Sequence, residues 1–468
     1  MGRRKRRIVE NVSITGIADK GQAVGRDEEG MVYFVAGAVP GDVVDVWVKK
    51  KKSNYRQGVI SAFRSKSDLR IAPFCEHFGN CGGCKWQYLD YASQLKYKNE
   101  VVLDAFDRLG QISYKEARPI LGCTKEREYR NKMEYSFSSR RWVPQEELDA
   151  GGEVDFGPAT GFHRAGAFNM VVQIEKCHLQ DDLSNKIRNH VHALALAEGW
   201  TFYNSREHHG LLRNLLVRNT TLGEWMVVPI FGEDDEEARE KLLSSLVETF
   251  PQLTCVYYVV NTKANDSTFD QTFHHYHGSE GIIEQLKHIK YKIGPKSFFQ
   301  TNTYQAVTLY DQVAALADLK GDELVYDLYT GLGSIALYLA DKCRKVVGIE
   351  EVAAAIEDAH HNKQLNAVEN AHFEVGDCKD LFNQDFVERH GVPDLIIVDP
   401  PRAGLHQDVV TMLANTGVPR IIYVSCNPAS QARDVALLDK AYSVELIQPV
   451  DMFPHTHHIE NIALLVHR

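Results

Sequence analysis

Three short runs near the end of the chain hold side chains able to do chemistry. The first is Ser425-Cys426-Asn427-Pro428, which follows the apolar run Ile421-Ile422-Tyr423-Val424. The proline after it suits the first turn of a helix, and a helix N-terminus favours the thiolate, the nucleophilic form of cysteine. The second is Asp399-Pro400-Pro401-Arg402, behind Leu395-Ile396-Ile397-Val398. Two prolines end regular structure and stiffen the loop, which can then hold a flat ring or a methyl donor between rigid walls. The third is Phe453-Pro454-His455-Thr456-His457-His458-Ile459-Glu460. Its histidines invite a zinc reading, but the spacing lacks the helical i, i+4 register that zinc ligands on a helix use. Glu460 is better read as a general base working with Cys426, a nucleophile and a proton acceptor for one covalent reaction.

A ligand-binding turn precedes these runs. Asp327-Leu328-Tyr329-Thr330-Gly331-Leu332-Gly333-Ser334 is glycine-rich, so a ligand can approach its backbone closely. Glu350 ends the next apolar run, where a carboxylate can accept from both ribose hydroxyls of an adenosine. The turn alone fits NAD as well as S-adenosylmethionine, because Gly331-Leu332-Gly333-Ser334-Ile335-Ala336 also matches a dinucleotide fingerprint. Asp327 favours S-adenosylmethionine, since a carboxylate repels a pyrophosphate and suits an ammonium group. Asp377 falls near the adenine edge.

The elements that must position these residues are legible from residue 322 onward. Apolar strands at 324–327, 346–350, 373–377, 395–399 and 421–426 alternate with helical stretches near 334–343 and 351–366. That alternation means a parallel sheet with helices on both faces, and ligands bind beyond the carboxyl ends of such strands. Before it, short β segments at 9–14, 31–35, 42–48 and 58–60 fit a small barrel. A helix is expected near 90–109, the region 115–285 mixes strands and helices, and Gly151-Gly152 reads as a surface excursion.

At 468 residues the chain is too long for one core, and two or three domains are expected. The boundaries drawn here are 1–66 for the barrel, 67–285 for a central domain and 286–468 for the ligand-binding domain. Net charge is −10, which alone argues against nucleic acid. Through residue 70, however, fifteen Lys and Arg face eight Asp and Glu. The excess sits in Arg3 to Arg7 and in Lys49-Lys50-Lys51-Lys52 with Arg56, a footprint for phosphate. Nine cysteines without a signal segment or a membrane-length apolar run suggest a cytoplasmic protein using thiols for metal or catalysis. Cys75-x5-Cys81-x2-Cys84 is one ligand short of a tetrahedral site.

On these motifs, with Ser297-Phe298-Phe299-Gln300-Thr301-Asn302, the chain resembles the RNA uridine-5-methyltransferase family over nearly its whole length. It is most similar to the subclass with a TRAM domain and an iron–sulfur cluster, typified by 23S ribosomal RNA methyltransferases. The resemblance implies an α/β multidomain protein. Its parts would be a TRAM/OB-like barrel, a central α+β domain carrying the cluster and a Rossmann-like S-adenosylmethionine-dependent methyltransferase domain. It implies Cys426 as nucleophile, Glu460 as base, and Gln300, Tyr329, Ser334, Glu350, Asp377 and Asp399 around the donor. It also supplies Cys177 as fourth ligand beside Cys75, Cys81 and Cys84, for a [4Fe-4S] cluster rather than the zinc that spacing equally allows. RNA is the implied partner, 23S ribosomal RNA foremost and transfer RNA as the alternative, with no membrane and a monomeric chain. Two other readings compete: an NAD-dependent oxidoreductase, which gives Cys426 and Glu460 no joint role, and a non-catalytic RNA-binding protein, which leaves the strand-end residues unexplained.

Overall fold

The computed structural model describes residues 7–468. Arg3 to Arg6 of the N-terminal basic run therefore lie outside the described residues. Strands Ile8–Ile17, Ala23–Arg26, Val32–Ala36, Val43–Lys51 and Tyr55–Ser65 close into a barrel. Alternation places Val12, Ile14, Tyr33, Val35, Val44 and Val46 inside. Ala23–Arg26 is a strand that sequence reading passed over. Its four residues carry little apolar signal, and Gly25 is needed because a Cβ there would meet Ser13 O at 2.6 Å. Lys50, Lys51 and Lys52 stand exposed where the strands 43–51 and 55–65 turn back on each other.

The middle of the chain forms a seven-stranded sheet in the order His274–Gly278, Leu253–Val260, Trp225–Phe231, Leu212–Asn219, Lys132–Ser138, Ala159–Arg164, Ala167–Gln173. Helices Asp182–Ala197 and Glu236–Thr249 are capped by Asp181 and Asp235, and they bury Ile187, Val191, Leu242, Leu243 and Leu246 in one core with that sheet. Gly151-Gly152 follows a short exposed helix, Gln145–Asp149.

The last sheet has eight strands, ordered Ala371–Val375, Lys345–Glu350, Leu324–Leu328, Leu395–Val398, Arg420–Ser425, Glu460–His467, Tyr442–Val450, Tyr114–Ala117. The first five run parallel, their near-continuous apolar stretches buried by helices on both faces. Strand order reverses between Leu324–Leu328 and Leu395–Val398, which opens a crevice at their carboxyl ends. Tyr114–Ala117, from the middle of the sequence, pairs in parallel with Tyr442–Val450 as an edge strand. Helix Tyr91–Asp104, capped by Asp90, packs beside this sheet and continues into a wider turn, Ala105–Gly110. Among the described residues no helix is long and apolar enough to cross a membrane.

Candidate active site

The glycine turn opens at the reversal point. Asp327 is buried, and its Oδ2 accepts from Thr330 Oγ1 at 2.6 Å and from Ala336 N at 3.1 Å, so it ties the turn to the helix it starts. Its Oδ1 is buried with no hydrogen-bond partner. Burial raises this carboxyl to about 7. An orphaned, electron-rich oxygen beside a glycine turn is what a ligand ammonium group would satisfy. Tyr329 takes the left-handed backbone region at φ 67°, uncommon for a non-glycine residue and typical of functional turns.

Glu350 was expected to grip a ribose. Its two oxygens each hold one backbone N–H, Gly331 N at 3.1 Å and Val352 N at 3.0 Å, and each keeps a lone pair for a ligand hydroxyl. Asp377 lies two residues past its strand rather than at its end. It caps the short helix Cys378–Leu381 through Lys379 N, and its carboxylate is held low by Lys379. Ser334 accepts from Tyr310 OH at 3.1 Å on its hydroxyl and from Tyr291 OH at 2.8 Å on its carbonyl. Gln300 is buried, its carbonyl accepting from Asn131 Nδ2 at 2.9 Å, and beside it Phe298 is 72% exposed, a ring open to stacking.

Cys426, Glu460, Asp399 and Arg402 form one electrostatic group. They come from the ends of neighbouring strands: Leu395–Val398 delivers Asp399, Arg420–Ser425 delivers Cys426, and the antiparallel Glu460–His467 begins with Glu460. Glu460 is 5% exposed. Burial, then Asp399, raises its carboxyl well above the usual range, while Arg402 works the other way. Asp399 rises to about 7, again mainly by burial.

The expectation that the helix N-terminus would favour the Cys426 thiolate is corrected here. The thiol is pushed up to about 11 by burial, then by Glu460 and Asp399, against the pull of Arg402. The helix Pro428–Leu438 is capped by Asn427, whose side chain accepts from Ala429 N, so the helix end spends part of its field on its own cap. Arg402 was quoted within a motif and given no role; it proves to be the cation that the thiol and the carboxyl share. Asn302 was likewise quoted within a motif and given no role, and Asn131 was missed because nothing in its local sequence marks it.

Cys75, Cys81, Cys84 and Cys177 converge. Cys84 feels the other three electrostatically, Cys81 feels Cys75 and Cys177, and all four are free thiols. Gly83 N donates to Cys81 Sγ at 3.4 Å. Among the described residues, however, no group of three or more Cys, His, Asp or Glu stands close enough to hold a metal ion. The histidine run turns inward. His455 bonds to Gln94, and burial drives His455 and His458 down to about 4, so both are neutral near pH 7.

A family profile described as tRNA (uracil-5-)-methyltransferase matches residues 272–468, and a TRAM domain profile matches residues 3–60. A protein of Bacteroides thetaiotaomicron described as an uncharacterized RNA methyltransferase is 47% identical over 452 residues, covering 96% of this chain and 99% of its own. One of Porphyromonas gingivalis with the same description is 48% identical over 464 residues, covering 97% and 99%. The solved tRNA (uracil-54, C5)-methyltransferase of Pyrococcus abyssi, in complex with S-adenosyl-L-homocysteine, superposes with a TM-score of 0.74 at 29% identity, covering 98% of this chain and 100% of that one. With this fold, this strand-end site and these relatives, the chain belongs to the TRAM-containing RNA (uracil-5-)-methyltransferase family.

Proposed function

We propose that the protein transfers a methyl group from S-adenosylmethionine to carbon 5 of a uridine in RNA, 23S ribosomal RNA foremost, through a covalent adduct with Cys426. The observation that carries this reading is the grouping of Cys426, Glu460 and Asp399 at neighbouring strand ends, with Arg402 acting on both the thiol and the Glu460 carboxyl. S-adenosylmethionine, when bound, supplies a methyl group on a sulfonium. In this reading Asp327 Oδ1, buried without a partner, accepts from its ammonium, and Gln300, Tyr329, Ser334, Glu350, Asp377 and Asp399 hold the rest.

Carbon 5 of uracil is too poor a nucleophile to take a methyl group unaided. The Cys426 thiol first gives its proton to solvent, and Arg402 stabilises the thiolate that attacks. The Cys426 thiolate adds to carbon 6, forming a C–S bond and moving the electrons of the C5=C6 double bond onto carbon 5 and the carbonyl oxygen of carbon 4. Carbon 5 then takes the methyl as the donor's S–CH3 bond breaks. Glu460 in its ionised form accepts the proton left on carbon 5 and later releases it to solvent; a carboxylate whose conjugate acid is held above the usual range is the stronger base for it. The C–S bond breaks, the C5=C6 double bond returns and Cys426 leaves as thiolate. The uridine must leave its stack to reach this site, at a cost of about a few kcal/mol.

Three working units are proposed to share the task. The barrel of 1–66 holds RNA by phosphate contacts, 67–285 carries the cysteine quartet, and 286–468 does the chemistry. Cys75, Cys81, Cys84 and Cys177 are proposed to hold a [4Fe-4S] cluster that ties residues 75–84 to 177, since methyl transfer needs no electron. The protein is read as cytoplasmic and monomeric.

The test offers purified protein labelled S-adenosylmethionine with unmodified 23S ribosomal RNA and transfer RNA in separate reactions, and identifies the labelled nucleoside. Label in 5-methyluridine of ribosomal RNA is expected. Label confined to transfer RNA keeps the mechanism and replaces the substrate; no label in either refutes the activity.

A further inference from the structure

Glu460 begins its strand directly after a loop, residues 451–459, that departs from the hairpin at the Val450–Glu460 pair. That loop is gripped from four directions. From helix Tyr91–Asp104, Lys98 Nζ pairs with Asp451 Oδ1 at 2.6 Å and donates to Phe453 O at 3.0 Å. One turn earlier on that helix, Gln94 accepts from His455 N at 2.8 Å. From the cysteine-rich segment, Lys85 N and Trp86 N both donate to His455 O. Tyr129 OH donates to Pro454 O at 2.9 Å. From the stretch that holds Gln300, Asn302 Nδ2 donates to Met452 O at 2.8 Å.

The Lys98 and Asp451 side chains are both 0% exposed, and Gln94 and Asn302 are equally buried. A buried ion pair is a poor way to gain stability, because desolvating both charges offsets their attraction. It is a good way to specify one arrangement. The loop also carries strain: His455 sits at φ 64°, a left-handed conformation that persists only where the surroundings over-determine it.

We infer that Lys98 and Asp451, with Gln94, are positioning residues. Through the 451–459 loop they set where the Glu460 carboxyl stands relative to carbon 5 of the target base. The pair touches none of the reacting groups, so it acts on the proton-removal step and not on attack by Cys426. This rests on the covalent reading above.

The experiment is single-turnover and steady-state methylation by Lys98→Met/Asp451→Asn. It uses whichever transcript, ribosomal or transfer RNA, the native protein methylates, with Glu460→Gln run in parallel. The double variant removes both charges together, so neither is left buried alone. Turnover should fall about 10²-fold, the cost of a misplacement of about 1 Å. Adduct formation should stay near its native rate, and a methylated, denaturant-resistant protein–RNA band should accumulate. Gln94→Leu, which leaves both charges in place and removes the His455 contacts together with the bonds to Trp86 O and Leu89 O, should show the same split and serves if the double variant does not fold. Native turnover in a folded variant overturns the inference. So does an equal loss of adduct formation and turnover, which marks a merely structural role. Should Glu460→Gln itself form no adduct, it is the covalent reading that fails.

Discussion

The least expected feature of the site is a nucleophile whose thiol is harder, not easier, to ionise than an ordinary cysteine, and this can be measured without RNA. Cys426 stands at about 11 against an ordinary value of 9.0. At pH 8 the thiolate fraction is then about 10⁻³ in place of about 10⁻¹, a hundredfold deficit worth about 3 kcal/mol. The assay is iodoacetamide alkylation of ligand-free protein across pH 7 to 11, with the Cys426 peptide followed by mass spectrometry. Its rate should climb about tenfold per pH unit through pH 10 without levelling. Since Glu460 raises the thiol and Arg402 lowers it, Glu460→Gln should alkylate faster at pH 9 and Arg402→Gln more slowly. A native profile that levels off at or below pH 9 would refute the reasoning, because the helix end would then outweigh burial and the two carboxylates.

Cys426→Ala should abolish methylation while leaving RNA affinity by filter binding near the native value; retained turnover rules out the covalent route. Asp327 has a folded-state value near 7 against 3.8 ordinarily, so the folded protein binds this proton more tightly than the unfolded chain does. Its contribution to stability is complete below pH 4 and is lost as pH rises through 7. Asp327→Asn should therefore stabilise ligand-free protein at pH 8 by on the order of 2–4 kcal/mol and little at pH 4, read by urea unfolding; no gain at pH 8 counts against a buried charge. Replacing Lys50, Lys51 and Lys52 by Ala should flatten the salt dependence of RNA binding by about two in log–log slope, at about 0.7 for each phosphate no longer neutralised. An unchanged slope would move the RNA off that hairpin. Cys84→Ser should lose the iron and acid-labile sulfide of anaerobically purified protein; native protein with neither has no cluster.

Much of this protein is readable along the chain because its strongest signals are local. A buried parallel strand must be a continuous apolar run, so Leu324–Leu328, Lys345–Glu350, Leu395–Val398 and Arg420–Ser425 show themselves together with the polar residues at their ends. Cys426, Asp399 and the glycine turn are likewise marked by the prolines and glycines around them. What depends on distant partners is not marked. Ala23–Arg26 is a strand only because the barrel closes around it, and Tyr114–Ala117 joins the last sheet only because Tyr442–Val450 lacks a neighbour on that side. Lys98 on an ordinary-looking helix reads as a solvated charge until Asp451, 353 residues away, comes to meet it. The ionisation of Cys426 went the same way. Residue type and helix position argued for an easy thiolate, whereas the outcome was decided by burial and by two carboxylates from other strands. Sequence determines which groups are available for chemistry; the tertiary structure decides their charge and their reach, because desolvation and Coulomb interactions depend on distance in space and not on spacing in the chain.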